Sequence, residues 1–225
     1  MAFLLNIETT TKNCSIALFE NENLITLKEQ RSEKYSHAEQ LILFIEEVLR
    51  QANISLKEIH AIALSKGPGS YTGLRIGTST AKGLCYSLGI PLISISTLRA
   101  MAFEMAKKED YTFYCPMIDA RRMEVFSSIY DQANKEVRQI QADIVDENTY
   151  AKFFVDKILF FGDGALKCKT IISSANATFI EGVLPSAQDM GELAFRKFIN
   201  NEFESTAYFE PYYLKDFVTG KKANN

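Results

Sequence analysis

The residues with the most chemical promise lie between Lys66 and Leu84, in the run KGPGSYTGLRIGTSTAKGL. A glycine-rich turn that leaves a strand and opens a helix can present backbone amides to an anion. The spacing matches neither standard phosphate cradle. Gly67, Gly69 and Gly73 form G-x-G-x-x-x-G, one residue longer than the dinucleotide fingerprint, and Leu74 follows Gly73 where a P-loop requires lysine. A tight turn, in which glycine permits positive φ and close backbone approach, accounts for the same residues.

Acid–base chemistry has four candidates: Glu8, Asp119, Glu124 and Asp163. Glu8 ends the first predicted strand and is placed to form a cleft floor. Asp119, in IDARR, and Asp163, between two glycines, also suit ordinary turns. General acid–base work needs two groups to converge, and linear spacing does not bring these together. A helical metal site at His37 would need a second histidine one turn on, but position 41 is Leu41; His60 opens a strand. His37 therefore reads as a partly exposed first-turn residue beside a helix cap. No G-x-S-x-G elbow occurs, and two histidines leave little for a triad. The expectation is a chain with no catalytic residues, cofactor or metal of its own.

Several elements must position these groups. Phe3–Glu8, Cys14–Glu20 and Leu24–Glu29 predict an antiparallel meander with polar turns at 9–13 and 20–23. The capping box Ser36-His37-Ala38-Glu39 starts a helix, and Ala38, Leu41, Ile42, Ile45, Val48, Leu49 and Ala52 form its core stripe. Then follow a strand at 59–65, a helix at 72–88, a strand at 91–95 and a connecting helix at 97–107. Further strands are predicted at 112–118, 124–130, 136–142, 158–161 and 178–181. A second capping box, Ser186 to Asp189, starts a helix running to about Asn200. The two halves repeat a topology without a residue-level repeat, and the tail from about 219 is expected to be disordered. The pattern predicts an α/β fold of mixed sheets flanked by helices.

Composition narrows the function. With 225 residues, 47% hydrophobic and 24% charged, the chain has the profile of an ordinary globular protein with ample core. A net charge of −3 argues against autonomous nucleic-acid binding. The four cysteines are scattered with no C-x-x-C pair, so neither a zinc site nor a disulfide framework is expected. The opening MAFLLNIE lacks a basic leader and no stretch approaches a membrane span, which suggests a reducing, cytoplasmic home.

The helix at 72–88 separates into three faces. Leu74, Ala81, Cys85 and Leu88 suit packing on a sheet, and Arg75, Ser79, Lys82 and Tyr86 suit water. Gly73, Ile76, Gly77, Thr80, Gly83 and Leu84 make a third, mostly small face. Glycine within a helix costs about 1 kcal/mol relative to alanine, so its repetition suggests another backbone lying close. That neighbour is either the Ala38–Ala52 helix or a partner subunit. Leu43 and Phe44 lie off the core stripe of the first helix and are expected to be partly exposed unless covered.

Taken together, LLNIETTTKNCSIALF, HAEQLILFIEEVL, KGPGSYTGLRIGTSTAKGL, PLISISTLRAMA, IDARRMEVF, GDGA and EPYYLKDF resemble the TsaB (YeaZ) family across residues up to about 217. The resemblance implies a two-domain actin-like, ribonuclease H-like (ASKHA) fold, divided here at 1–99 and 100–225, with the C-terminal segment packing back on the first half. It implies a subunit that is not an enzyme alone but pairs with the catalytic paralogue TsaD through N-terminal helices. TsaE joins that complex, a homodimer forms when TsaD is absent, and tRNA is reached only through the complex. The reaction is threonylcarbamoyl transfer to the adenosine beside the anticodon. The catalytic paralogue holds metal through H-x-x-x-H, a pattern His37 and Leu41 do not complete. Glu8 stands where many relatives carry Asp, at the acid that would serve a nucleotide cleft. The rival readings are a nucleotide-binding ATPase or phosphotransferase, and a peptidase lacking a visible nucleophile–base pair. Leu43, Phe44, Gly73, Ile76, Gly77, Thr80, Gly83 and Leu84 are the expected partner interface.

Overall fold

The computed structural model describes residues 1–31 and 37–215. Its strands are β1 (Phe3–Glu8), β2 (Asn13–Glu20), β3 (Asn23–Arg31), β4 (Ile59–Ser65), β5 (Leu92–Ile95), β6 (Phe113–Asp119), β7 (Glu124–Asp131), β8 (Glu136–Ile144), β9 (Ile158–Phe161) and β10 (Ala177–Ile180). The helices are α1 (His37–Ala52), α2 (Tyr71–Leu88), α3 (Thr97–Lys108), α4 (Ala165–Cys168) and α5 (Gly191–Ile199). The Ser36 cap and the tail from about 219 lie outside the described residues. The Ser186 box does form, but it opens a 3-10 turn at Ala187–Met190, and α5 starts only at Gly191.

Two five-stranded sheets share one pattern. The first runs β3-β2-β1-β4-β5 and the second runs β10-β9-β6-β7-β8. In each, three antiparallel strands are followed by two parallel ones, so the halves are topological repeats. Parallel neighbours require a covered crossover, which α1 and α2 supply in the first half.

Strand β1 reads as an unbroken apolar run up to Asn6 because both of its faces are buried. Phe3, Leu5 and Ile7 enter a core with Leu41, Ile45 and Val48 of α1 and with Ala81 and Cys85 of α2. Ala2 and Leu4 face the other way, into a core that holds Leu193 and Ala194 of α5. Each fully buried leucine, isoleucine, valine or phenylalanine among them contributes about 1.5–3 kcal/mol.

The halves exchange a helix. α3 leaves the first sheet and places Leu98, Met101 and Met105 against Tyr114, Ile118 and Phe126 of the second. α5 follows the second sheet and returns to Leu4, Phe19 and Ile93 of the first. Beyond α5, Glu204 also forms an isolated bridge to Leu92 of β5.

On α1 the inward residues are His37, Leu41, Phe44, Ile45, Val48 and Leu49. Phe44, expected to be partly exposed, is buried and lies under the Lys28 ammonium at 5.5 Å. Ile42, expected in the core, is exposed instead, as is Ala38. The stripe is rotated toward Phe44 because the adjacent β3 offers Lys28, whose stem and charge cover an aromatic ring better than a small aliphatic.

Candidate functional site

Helix α2 begins where Ser70 caps it, the Ser70 side chain accepting from the Gly73 amide at 3.3 Å. It ends at Gly89, whose φ of 67° supplies the left-handed C-cap. Its small face turns inward, toward the turn between β1 and β2. A Cβ on Gly73 would lie 2.0 Å from the Thr9 carbonyl oxygen, and one on Gly77 would lie 2.3 Å from Thr9 Oγ1. The Thr9 hydroxyl donates to the Gly73 carbonyl at 2.8 Å, and the Ser70 amide donates to the Thr10 carbonyl at 2.7 Å. The expectation of a close backbone neighbour holds, but that neighbour is neither α1 nor a partner. Gly73 and Gly77 are buried within the chain and cannot touch another subunit.

The outer flank of α2 is different. Gly83 is exposed, and a Cβ there would meet nothing within 4 Å. Ile76 and Leu84 are half-buried against the core that also holds Leu41, Phe44 and Ile45, and Thr80 is half-buried beside them. On α1, Leu43 is 60% exposed and Ile42 48% exposed. Of the eight expected interface residues, Leu43, Ile76, Thr80, Gly83 and Leu84 remain reachable from solvent. Ile42 was missed: its place in the helical period matches the core stripe, and only the turn toward Phe44 releases it.

His37 is almost wholly buried, not partly exposed. Its Nε2 lies 2.7 Å from the Thr11 carbonyl oxygen, and burial lowers its pKa against the raising effect of that contact. The imidazole thus ties α1 to the β1–β2 turn, with Leu41 packed in the core one turn later.

That same turn organises Glu8. Its carboxylate accepts from the Thr10 amide and the Thr10 hydroxyl, both at 2.5 Å. Burial raises the Glu8 pKa, while the hydrogen bonds from Thr10 and Ser65 oppose the rise. The first turn after β1 therefore holds Glu8, Thr9, Thr10 and Thr11 in one knot with α1 and α2.

Across from it, a cleft of about 570 Å³ is lined by Thr10, Ser70, Asp119, Arg121, Asp163 and Lys215, among others. The structure does bring two carboxylates together here, which linear spacing could not show. The Asp119 amide donates to Asp163 Oδ1 at 2.9 Å, while Asp119 Oδ1 accepts from the Arg121 amide at 2.9 Å and from Lys167. Arg121 and Arg122 both sit at positive φ, 72° and 51°, which costs non-glycine residues roughly 1–2 kcal/mol each. The Asp119 side chain and the Lys167 bond to the Arg122 carbonyl hold that turn in place. Burial raises the Asp163 pKa. Glu124 pairs with Lys215. These acids build turns and close the cleft wall.

All four cysteines are buried thiols, each raised in pKa by desolvation. Among the described residues no cluster of three or more His, Cys, Asp or Glu is arranged to hold a metal ion. No described helix is long and apolar enough to cross a membrane.

Comparison with known proteins agrees with this geometry. A family model described as "TsaD: tRNA N6-adenosine threonylcarbamoyltransferase" matches residues 31–216. The chain is 28% identical to the tRNA threonylcarbamoyladenosine biosynthesis protein TsaB of Escherichia coli (strain K12), with 97% of each covered. Among solved structures, YeaZ from Pseudomonas aeruginosa superposes with a TM-score of 0.79 at 24% identity, over 95% of this chain and 100% of that one. The activator of the 2-hydroxyisocaproyl-CoA dehydratase from Clostridium difficile, with bound ADPNP, superposes at 0.52 with 9% identity, over 90% of this chain and 98% of that one. Two mixed five-stranded sheets flanked by helices are thus the actin-like arrangement.

Proposed function

Because the chain belongs to the TsaD: tRNA N6-adenosine threonylcarbamoyltransferase family and is related within it to TsaB, we propose that it serves tRNA threonylcarbamoyladenosine biosynthesis as a non-catalytic subunit. In this reading it binds a TsaD-type protein and activates it for transfer to the adenosine beside the anticodon. TsaE joins the pair, tRNA is met through the assembly, and a second copy of this chain takes the partner's place when TsaD is absent. Residues 1–99 form the unit that docks, and the cytoplasm is its compartment.

One observation carries the reading. Helices α1 and α2 lie on the same face of the first sheet, and both leave apolar or small residues in water: Ile42 and Leu43 on α1, Gly83 with half-buried Ile76 and Leu84 on α2. Exposed aliphatic side chains and a helical glycine with open space let a second helix approach closely. His37, Glu8 and Asp119 are engaged in holding turns, which favours a scaffolding part over a reactive one.

The test uses Leu43→Arg combined with Gly83→Arg. Both positions are exposed, so the fold is expected to survive. Placing two charges in the contact is expected to weaken association with TsaD by about tenfold or more, equivalent to about 1.4 kcal/mol. Reconstituted threonylcarbamoyl transfer at limiting subunit concentration should fall in parallel. Unchanged association by sedimentation, with unchanged transfer, overturns the assignment of this face. Full transfer when the chain is omitted overturns the subunit role itself.

A further inference from the structure

A second feature lies away from α1, at the carboxyl ends of the parallel strands β4 and β5. Lys66 follows β4 directly, Ser94 and Ile95 end β5, and Ser96 follows as the N-cap of α3. Open α/β sheets place ligands in the crevice outside such strand ends. Here the crevice is a cavity of about 220 Å³ lined by Lys66, Ser96, Arg99, Arg196 and Lys197, with Glu202 as its one acidic residue. Four cations from three separate elements thus converge on one small space in a chain whose net charge is −3.

We propose that this crevice is an anion site that takes a phosphate group, held by Lys66, Arg99 and Lys197 at the N-terminus of α3. Like charges gathered at one point repel, and an arrangement that keeps them together is stabilised when an anion lies between them. Arg196 is engaged by Glu192 and Arg99 Nε donates to Asn134 at 3.0 Å, yet among the described residues Lys66 and Arg99 form no ion pair with a carboxylate. Lys197 is held by the Ser94 carbonyl at 3.0 Å, which fixes its ammonium at the cavity wall. The pKa of Lys197 is lowered first by burial, then by Lys66 and Arg99, while Glu204 and Glu202 act in the opposite sense. An ammonium in that electrostatic surrounding gains from a bound anion. Ser96 caps α3, whose twelve residues add the positive end of their dipole at the same place.

The cavity continues into a second one of about 480 Å³ that shares Lys66, Ser96 and Arg99 and extends past Tyr130 and Ile140. The ligand is therefore a phosphate carried by something larger, whose body lies toward Tyr130, Asn134, Lys135 and Glu136. A mononucleotide and the backbone of a single RNA strand present the same phosphate chemistry, and the test separates them.

The purified full chain is titrated by calorimetry with inorganic phosphate, AMP and a short single-stranded RNA at low salt. The expected result is binding of AMP stronger than of phosphate, with Lys66→Gln plus Arg99→Gln reducing it by about tenfold or more. Lys197→Met alone should reduce it by a smaller factor, and thermal melting checks that each variant remains folded. RNA bound more tightly than AMP, and lost in the same variants, identifies a phosphodiester source; AMP bound more tightly identifies a mononucleotide. Absence of binding by all three probes to the unaltered chain overturns the proposal. So does binding that the double variant leaves unchanged. Neither result bears on the α1–α2 face, which carries none of these residues.

Discussion

The two flanks of α2 differ in what glycine does. At Gly73 and Gly77 a hydrogen in place of a side chain lets the helix rest on the Thr9 carbonyl and hydroxyl. At Gly83, two turns farther along, the same residue type faces open space. The inner flank is an intramolecular clamp joining β1, α1 and α2, and the outer flank is a surface. Composition alone makes them look like one face; their neighbours make them two. Small residues on a helix report that something comes near only when the near thing has been found.

Four measurements sharpen or break this contrast. The largest effect belongs to the clamp: Gly73→Leu and Gly77→Leu each drive a side chain into atoms about 2 Å away. Overpacking costs about 1–3 kcal/mol where a core can yield. At Gly73 the clashing atom is the backbone carbonyl of Thr9, so about 4 kcal/mol or more is expected, and at Gly77, where it is the Thr9 hydroxyl, about 3 kcal/mol. For a chain of this size that lowers Tm by roughly 10 °C. A Tm near that of the unaltered chain would dissolve the distinction between the flanks.

The next effect is a pH dependence on the opposite face of the first sheet. Asp189 is buried, accepts from the Ser186 amide at 3.1 Å and is pushed up to about 7, first by desolvation, with Glu104 and Glu8 adding repulsion and Lys108 opposing it. Its folded pKa lies above the unfolded value, so the native state holds the extra proton. Its contribution is present below about pH 4 and is lost as pH rises toward 7. Asp189→Asn keeps the acceptor without the charge. Melting curves should show the variant more stable at pH 8 by on the order of a few kcal/mol and nearly equal at pH 4. A constant offset at both pH values would remove the charge from the explanation.

Smaller is the bond from Thr9 to the Gly73 carbonyl. Thr9→Val keeps shape and removes the donor, and about 1 kcal/mol is expected in denaturant unfolding. Thr9→Ser should recover most of it; equal losses in both variants would mean that packing, not the hydroxyl, sustains the clamp. The smallest effects are on the outer flank, where Leu43→Ala should change stability by no more than about 0.5 kcal/mol, and Gly83→Ala, whose methyl meets open space, should raise it by about 0.5–1 kcal/mol through helix propensity. There the readout is association with TsaD, which the arginine pair tests more strongly.

Much of the fold was legible before any contact was known. The limits of β4 and β9, the α1 and α2 periods and the repeated strand pattern follow from apolar spacing and turn residues, which act locally. The resemblance to TsaB was equally legible, because it rests on runs of adjacent residues. The candidate face was legible only in part. Leu43 stands opposite the core stripe of α1 on any helical wheel and is exposed, as expected. Phe44 and Ile42 exchanged places because Lys28, on another element, covers the ring. His37 reached the interior because a carbonyl at Thr11 was there to receive it.

What the sequence by itself determined is therefore the elements, their order and the three-faced character of α2. What only the tertiary structure decided is which face meets which neighbour. Thr9 and Gly73 are 64 residues apart and touch because β1 and β4 pair in parallel, leaving the β1–β2 turn against the start of α2. The same long-range pairing sets Lys66 beside Arg99 and Lys197, so that scattered cations share one cavity. A helical period specifies angles about an axis, and the direction of the core is supplied by the rest of the chain.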